Sequence, residues 1–305
     1  MENITFTDHA GVKITAYKWV PKTGITPKGL IQIVHGMAEH ALRYDFLAEA
    51  LTDEGFVVYA EDHRGHGKTM ESMDKAGSLN PDGWDGVVKD LKQLKDIMVK
   101  DYPDLPVFMF GHSWGSFLTQ DFIQKWGDEL KGIILSGTAG KQDTLGLLIL
   151  IAKLQVKLHG SDTPAGLIYK LGVEPLNKRF EPAKSASAWL STVEEEVQKY
   201  DDDPLCGYRP PNGYYLEMAY AMKRLWKKEN ESKIPKNLPI YMIVGELDPV
   251  GNFTKNFMPL VHRYQNQGIA DVSYKIYKDA RHEILNDYCR KEVVQDTVNW
   301  FNNHM

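Results

Sequence analysis

The sequence predicts an α/β protein: a mostly parallel central sheet with helices on both faces and a mainly helical segment inserted into it. Three observations carry that expectation. Continuous apolar runs alternate with helix-like segments over most of the chain, the pattern of a parallel sheet covered on both sides. The alternation stops after Gly137 and resumes at Pro239-Ile240. Finally, the apolar run Val107-Phe108-Met109-Phe110 passes straight through Gly111-His112-Ser113-Trp114-Gly115 into a helical stretch.

The elements follow in order. Residues 4–6 and 12–19 alternate apolar and polar side chains around a turn at His9-Ala10-Gly11, which predicts an antiparallel hairpin at a sheet edge. Runs at 30–34, 56–60, 107–110, 133–135, 240–244 and 272–277 are the expected buried strands. Helical patterns lie between them at 44–54, 84–99 and 114–126. From 139 to 238 no strand pattern occurs, only helical periodicity and loops rich in Pro and Gly. The expected division is therefore a core of residues 1–138 and 239–305, carrying a helical cap at 139–238.

Composition bounds the partners. The 305 residues suffice for a full core, and 43% hydrophobic with 25% charged residues is ordinary for a globular protein. A net charge of -5 without a basic stripe argues against nucleic acid. Residues 1–10 lack a basic stretch followed by an apolar one, so no secretory leader is expected. The most apolar window, 145–152, is too short to cross a bilayer. Cys206 and Cys289 are too few for a disulfide framework, so packed thiols and a reduced, cytoplasmic setting are expected. No feature of the chain fixes an oligomeric state.

The pentapeptide at 111–115 carries the chemistry. A serine on a strand-to-helix turn behind a buried strand has the context of the G-x-S-x-G nucleophile elbow. A serine hydroxyl is a poor nucleophile until a base takes its proton. The chain must therefore supply a histidine and an acid, in the order Ser, acid, His, each just past a strand. Asp248 follows the strand at 240–244 and His282 follows the strand at 272–277. The competing acids, Glu246 and Asp279, lie nearer their own strands and are expected to be structural. Two backbone N–H groups should receive the developing oxyanion: Met37, after His35-Gly36, and Trp114, at the start of a helix.

Other residues attract plainer readings. His35, His40, His63, His66 and His112 do not fall into zinc-motif spacings, so no metal and no cofactor is expected. Asp62-His63-Arg64-Gly65-His66-Gly67 reads as a tight glycine turn in which Asp62 and Arg64 pair. Asp201-Asp202-Asp203-Pro204 reads as a solvated loop or helix cap. Tyr214, Tyr215 and Trp226 read as cap core. The segment 145–152 is apolar all round, unlike an ordinary surface helix. It is either buried against the core or a lid that shelters an acyl chain and makes peripheral contact with a lipid surface.

Taken together these residues resemble the α/β-hydrolase superfamily, and within it the monoacylglycerol lipase and bacterial lysophospholipase-like branch. The matching pieces are 35–40 with Arg43-Tyr44, 62–67, 111–115, 245–251, 280–283 and, in the cap, 203–207. The resemblance implies cofactor-free hydrolysis of carboxylic esters carrying a fatty acyl chain, with Ser113, Asp248 and His282 in the family's roles. Trp114 stands where many relatives carry methionine, and its larger ring is expected to reshape the acyl pocket. The expected activity is a serine hydrolase acting through an acyl-enzyme on a monoacylglycerol or lysophospholipid. An aminopeptidase, with Glu194 to Glu196 receiving an ammonium, an acyltransferase and a non-turnover ligand sensor are the alternatives.

Overall fold

The structure, a computed structural model, describes residues 1–305. In chain order the first half comprises β1 (Glu2–Thr7), β2 (Lys13–Trp19), β3 (Gly29–Val34), α1 (Asp45–Asp53), β4 (Phe56–Glu61), α2 (Gly83–Asp101), β5 (Val107–His112), α3 (Trp114–Trp126) and β6 (Gly132–Ser136). Five helices follow without an intervening strand: α4 (Leu145–His159), α5 (Gly166–Gly172), α6 (Glu194–Asp202), α7 (Asn212–Leu225) and α8 (Lys228–Glu231). The chain closes with β7 (Ile240–Gly245), α9 (Phe257–Asn266), β8 (Val272–Tyr277) and α10 (Arg290–Asn303).

The eight strands form one sheet in the order β1-β2-β4-β3-β5-β6-β7-β8. β1 and β2 pair antiparallel, β2 joins β4 antiparallel, and every other pair is parallel. Because side chains alternate along a strand, each central strand feeds two cores. Leu30, Val34, Met109 and Met242 enter one core with Leu91 and Leu94 of α2, Phe122 of α3 and Leu260 of α9. Ile31, Ile33, Phe108, Phe110 and Ile243 enter the other with Leu47 and Leu51 of α1 and Phe301 of α10. Apolar residues are favoured at nearly every position of such strands, hence the hydrophobic runs, interrupted in β3 by the buried Gln32, whose Nε2 donates to the Leu91 carbonyl at 3.1 Å.

β8 departs from the expectation of a buried strand. It pairs only with β7 and forms the edge, so of its residues only Tyr277 is buried. Between β6 and β7, α4 and α7 pack on the core over α2 and α3 through Leu145, Ile149, Tyr214, Tyr215 and Met222. α4 shows two characters. Leu145, Ile149 and Ala152 are buried, whereas Leu147, Leu150, Leu154 and Leu158 are 51–65% exposed. Leu145 and Ile149, at about 1.5–3 kcal/mol each, with the partly buried Leu148 and Ile151 beside them, seat this helix on the core.

Candidate active site

β3 has β4 on one side and β5 on the other, so the chain leaves it in opposite directions. The crevice beyond the carboxyl ends of such neighbours is where open α/β sheets bind ligands. Here β3 runs into His35-Gly36-Met37 and β5 into Ser113. Ser113 has φ 50° and ψ -120°, a conformation costing on the order of 1–3 kcal/mol for a residue with a side chain. Its neighbours compensate. Ser113 N–H donates to the Ser136 carbonyl at 2.9 Å, and Ser116 Oγ donates to the Ser113 carbonyl at 2.6 Å. Gly115 is required by contact: a Cβ there would strike the carbonyl oxygens of Val34 and His35. At Gly36 a Cβ would press to 3.2 Å from the Ser113 Cβ.

The three side chains expected from widely separated segments meet in a line. His282 Nε2 lies 2.8 Å from Ser113 Oγ, and His282 Nδ1 lies 2.9 Å from Asp248 Oδ2. Both His282 and Asp248 are buried. Asp248 Oδ1 accepts the Val250 N–H at 2.8 Å. An acidic partner at Nδ1 selects the tautomer with its proton there, leaving the Nε2 lone pair for the serine hydroxyl. Burial opposes charge on His282, but the Asp248 carboxylate outweighs it and the net shift of its pKa is upward. Glu246 and Asp279 are exposed and engage each other, the Asp279 N–H donating to Glu246 at 3.1 Å. The N–H groups of Met37 and Trp114 donate to no acceptor of the chain.

A buried charge cluster holds the turn at Gly36. Glu39 accepts the Gly36 N–H at 2.6 Å, the Tyr44 hydroxyl at 2.8 Å and Arg43 Nη1 at 2.6 Å. Arg43 also makes a bidentate pair with Glu283 at 2.7 Å for both bonds. Burial alone would raise the Glu283 pKa, yet the adjacent Arg43 holds this carboxyl well below its usual range. The cluster thus ties the loop after β3 to the residue next to His282. The resemblance names these positions but assigns them no task. Glu39 and Arg43 are four apart, a readable signal, whereas Glu283 is 240 residues further on.

His35, His63, His66 and His112 are buried, and each is held neutral. Burial, aided by neighbouring histidines, drives His35 well below the ordinary imidazole value and His66 down to about 3. Burial takes His63 down to about 4 and, with His282 nearby, His112 to about 3. Two expectations are corrected. Asp62 and Arg64 do not pair: Asp62 accepts from Tyr17 Oη, Ala41 N–H and Lys68 N–H, while Arg64 engages Asp8 and Asp90. Three donors on Asp62 and two acids on Arg64 leave neither a reason to turn toward the other. The Trp114 ring stacks on His66 at 5.3 Å and packs against Trp84 and Tyr214. It faces this aromatic cluster and does not line the cavity above Ser113.

That cavity measures about 60 Å³ and includes Met37, Tyr169, Trp189, Tyr208 and Tyr215 among its walls. Most of these belong to the segment between β6 and β7. The same segment grips the His282 loop, since Glu283 N–H donates to the Leu190 carbonyl at 2.7 Å and Arg281 Nη1 to the Ser191 carbonyl at 2.9 Å. Glu39 and Glu283 are the acids of the cavity wall, both committed to Arg43. Glu194 and Glu196 instead pair outside it, with Lys184 and with Arg290 and Lys199.

Residues 25–288 match the family model described as serine aminopeptidase, S33. A monoacylglycerol lipase of Mycolicibacterium smegmatis is 27% identical over 99% of this chain and 97% of its own length. The human monoglyceride lipase is 29% identical over 87% of this chain and 78% of its own. Among solved structures, a thermostable carboxyl esterase from Bacillus coagulans, crystallised with glycerol, superposes with a TM-score of 0.91 at 30% identity, covering 99% and 98% of the two chains. The chain belongs to the serine aminopeptidase S33 family of α/β-hydrolases and is similar, within that superfamily, to the monoacylglycerol lipases.

Proposed function

We propose that the protein hydrolyses carboxylic esters of acyl lipids, of the monoacylglycerol or lysophospholipid type, through an acyl-enzyme on Ser113. His282 Nε2 takes the hydroxyl proton as Ser113 Oγ attacks the ester carbonyl. The oxyanion is received by the Met37 and Trp114 N–H groups, each such donor being typically worth about 10²–10³ in rate. As the tetrahedral species collapses, the C–O bond to the alcohol breaks and His282 returns the proton to the leaving oxygen. Water then repeats the sequence, releasing the fatty acid and restoring Ser113. Asp248 steadies the imidazolium throughout and keeps its own negative charge.

The observation that carries this reading is the unbroken Asp248–His282–Ser113 contact chain at 2.9 and 2.8 Å. The similarity to monoacylglycerol lipases and to a carboxyl esterase supports an ester substrate. An aminopeptidase needs a free carboxylate for the substrate ammonium, and both cavity acids are already engaged by Arg43. Ser113→Ala should lower turnover of a p-nitrophenyl ester by on the order of 10⁶-fold and abolish labelling by a fluorophosphonate. Full turnover by that variant would refute the assignment. A wild-type protein that labels once but never turns over repeatedly would point to a ligand sensor instead.

Residues 139–238 act, in this proposal, as a cap over Ser113. A cavity of about 60 Å³ admits only a few water-sized groups, at about 10–15 Å³ each. A long acyl chain therefore requires the cap to shift. The exposed leucines of α4, with Leu167 and Leu171 of α5 and the nearby Lys153 and Lys157, form the surface that would meet a lipid interface. Replacing Leu150 and Leu154 by Glu should weaken vesicle binding and slow hydrolysis of dispersed monoacylglycerol. Turnover of a soluble short-chain ester should be unchanged. Equal loss on both substrates would remove the lipid-surface role. No helix is long and apolar enough to cross a membrane.

A further inference from the structure

A second cluster of chemistry lies beside the cavity and takes no part in the mechanism above. An imidazole nitrogen of His40, an Asp203 carboxylate oxygen and the Cys206 Sγ all lie within 4.8 Å of one another. His40 and Cys206 are buried at 8% exposure each, and the Asp203 side chain is 30% exposed. We propose that these three groups bind a divalent cation of borderline softness, Zn²⁺ being the best match.

The donor set argues for that class. Imidazole nitrogen, carboxylate oxygen and thiolate sulfur are the three ligand types zinc takes, at about 2.0–2.3 Å in tetrahedral geometry. Calcium and magnesium call for oxygen ligands. Ligand atoms already crowded this closely need only small shifts. The 2.8 Å contact between His40 and Asp203 must open slightly, and the sulfur must draw inward. On the partly exposed Asp203 side, water can complete the fourth position. The carboxylate is oriented in advance: Asp203 Oδ1 accepts the Leu205 N–H at 2.8 Å, and the Asp203 carbonyl accepts the Cys206 N–H at 2.9 Å, the kind of supporting contact that tunes a metal site.

Charges balance as well. On binding, the Cys206 S–H bond breaks, its proton goes to solvent, and the sulfur pair forms the Zn–S bond. Before binding, Nε2 of His40 donates its proton to the Asp203 carboxylate at 2.8 Å; on binding that proton leaves to solvent while Nδ1 takes one up, so that Nε2 offers its lone pair. One thiolate and one carboxylate then neutralise Zn²⁺, while the nearby Arg43, paired with both Glu39 and Glu283, belongs to a cluster that carries one net negative charge and so does not repel the cation. The ion would cross-link the loop that follows Met37 to the segment between β6 and β7. These two pieces already touch where the Gly207 N–H and the Tyr200 hydroxyl both donate to the Ala38 carbonyl at 3.0 Å. Sequence spacing could not reveal the site, because residues 40 and 203 are 163 positions apart. Asp203 turns inward to His40, unlike its exposed neighbours Asp201 and Asp202, which fit the solvated reading of that run.

Cobalt(II) provides a test that does not depend on activity. Titrating metal-free wild type with Co²⁺ should produce a thiolate-to-cobalt charge-transfer band that saturates at one equivalent and is displaced by one equivalent of Zn²⁺. The thermal midpoint should rise with Zn²⁺ concentration, as for any ligand that binds only the folded chain. Cys206→Ser should lose the band and keep basal esterase turnover, whereas Cys289→Ser should keep the band. Asp203→Asn should weaken Zn²⁺ at least as much as the roughly 10–100-fold that loss of an outer contact costs. A wild type without the band, or a band that survives in Cys206→Ser, would overturn the site.

Discussion

Replacing Arg43 by methionine tests the internal frame of the site. The substitution keeps an unbranched side chain of comparable length and deletes one charge. Arg43 is the one cation between Glu39 and Glu283, whose side chains are only 4% and 7% exposed. Two carboxylates would then share a buried space without a counter-charge, a situation that costs about 3–5 kcal/mol. With an unfolding entropy near 2.1 cal/mol/K per residue, a chain of this length changes by about 0.64 kcal/mol for each degree. The melting midpoint should therefore drop by about 5–8 °C, read by calorimetry or circular dichroism at pH 7.5. The pH dependence identifies the cause. Once Arg43 is gone, one carboxyl titrates above its unfolded value, so the deficit relative to wild type shrinks as the pH falls from 8 to 5. Adding Glu283→Gln should recover part of the loss, because the two positions are coupled rather than additive. Turnover should decline too, since Glu39 is what fixes the Gly36 turn ahead of the Met37 N–H. A variant that melts with wild type, or whose deficit is independent of pH, would refute the reasoning.

The other expectations concern protons. The raised pKa of His282 places the acid limb of kcat/KM above the ordinary imidazole value of about 6.5. Asp248→Asn should move that limb downward and lower kcat by about 10⁴-fold; an unmoved limb would mean that another group titrates. His35, His63, His66 and His112 stay neutral in the folded chain well below the pH at which they take up protons when unfolded. Stability should accordingly fall as pH drops from about 6.5 toward about 4, by up to 1.4 kcal/mol per unit for each histidine. His282 acts in the opposite sense just above pH 6.5, because there the folded form binds the proton and the unfolded form does not. Urea titrations at pH 7, 6 and 5 would show the trend, and a flat profile would contradict it.

Much of the molecule is legible in one dimension because its rules are local. A parallel strand covered on both faces is apolar at nearly every position, so 30–34 (with Gln32 as its one polar residue), 56–60, 107–110, 133–135 and 240–244 stand out as runs. The turn at 111–115 is only partly local: a Cβ on Gly111 would meet Gly115, Ser116 and Thr119, whereas one on Gly115 would strike the carbonyl oxygens of Val34 and His35 on β3 and the loop after it. α9 and α10 fall outside the helical segments predicted from the pattern. Their buried residues, such as Leu260, Val261 and Tyr264 or Val293, Thr297 and Phe301, are interleaved with polar ones and blur the apolar stripe.

Sequence by itself thus determined the layered α/β architecture, the place of Ser113 at the end of β5, and the positions of Asp248 and His282 just beyond later strands. Tertiary structure alone decided that β8 is an edge, that Arg64 turns to Asp8 and Asp90 rather than Asp62, and that the Trp114 ring faces an aromatic cluster instead of the cavity. It also decided that Arg43 joins Glu39 to Glu283, and that His40 meets Asp203 and Cys206. The difference has a physical origin. Hydrophobic periodicity and backbone sterics act between near neighbours in the chain. An ion pair or hydrogen bond is satisfied by whichever partner folding brings within about 3 Å, and that partner can be any number of residues away.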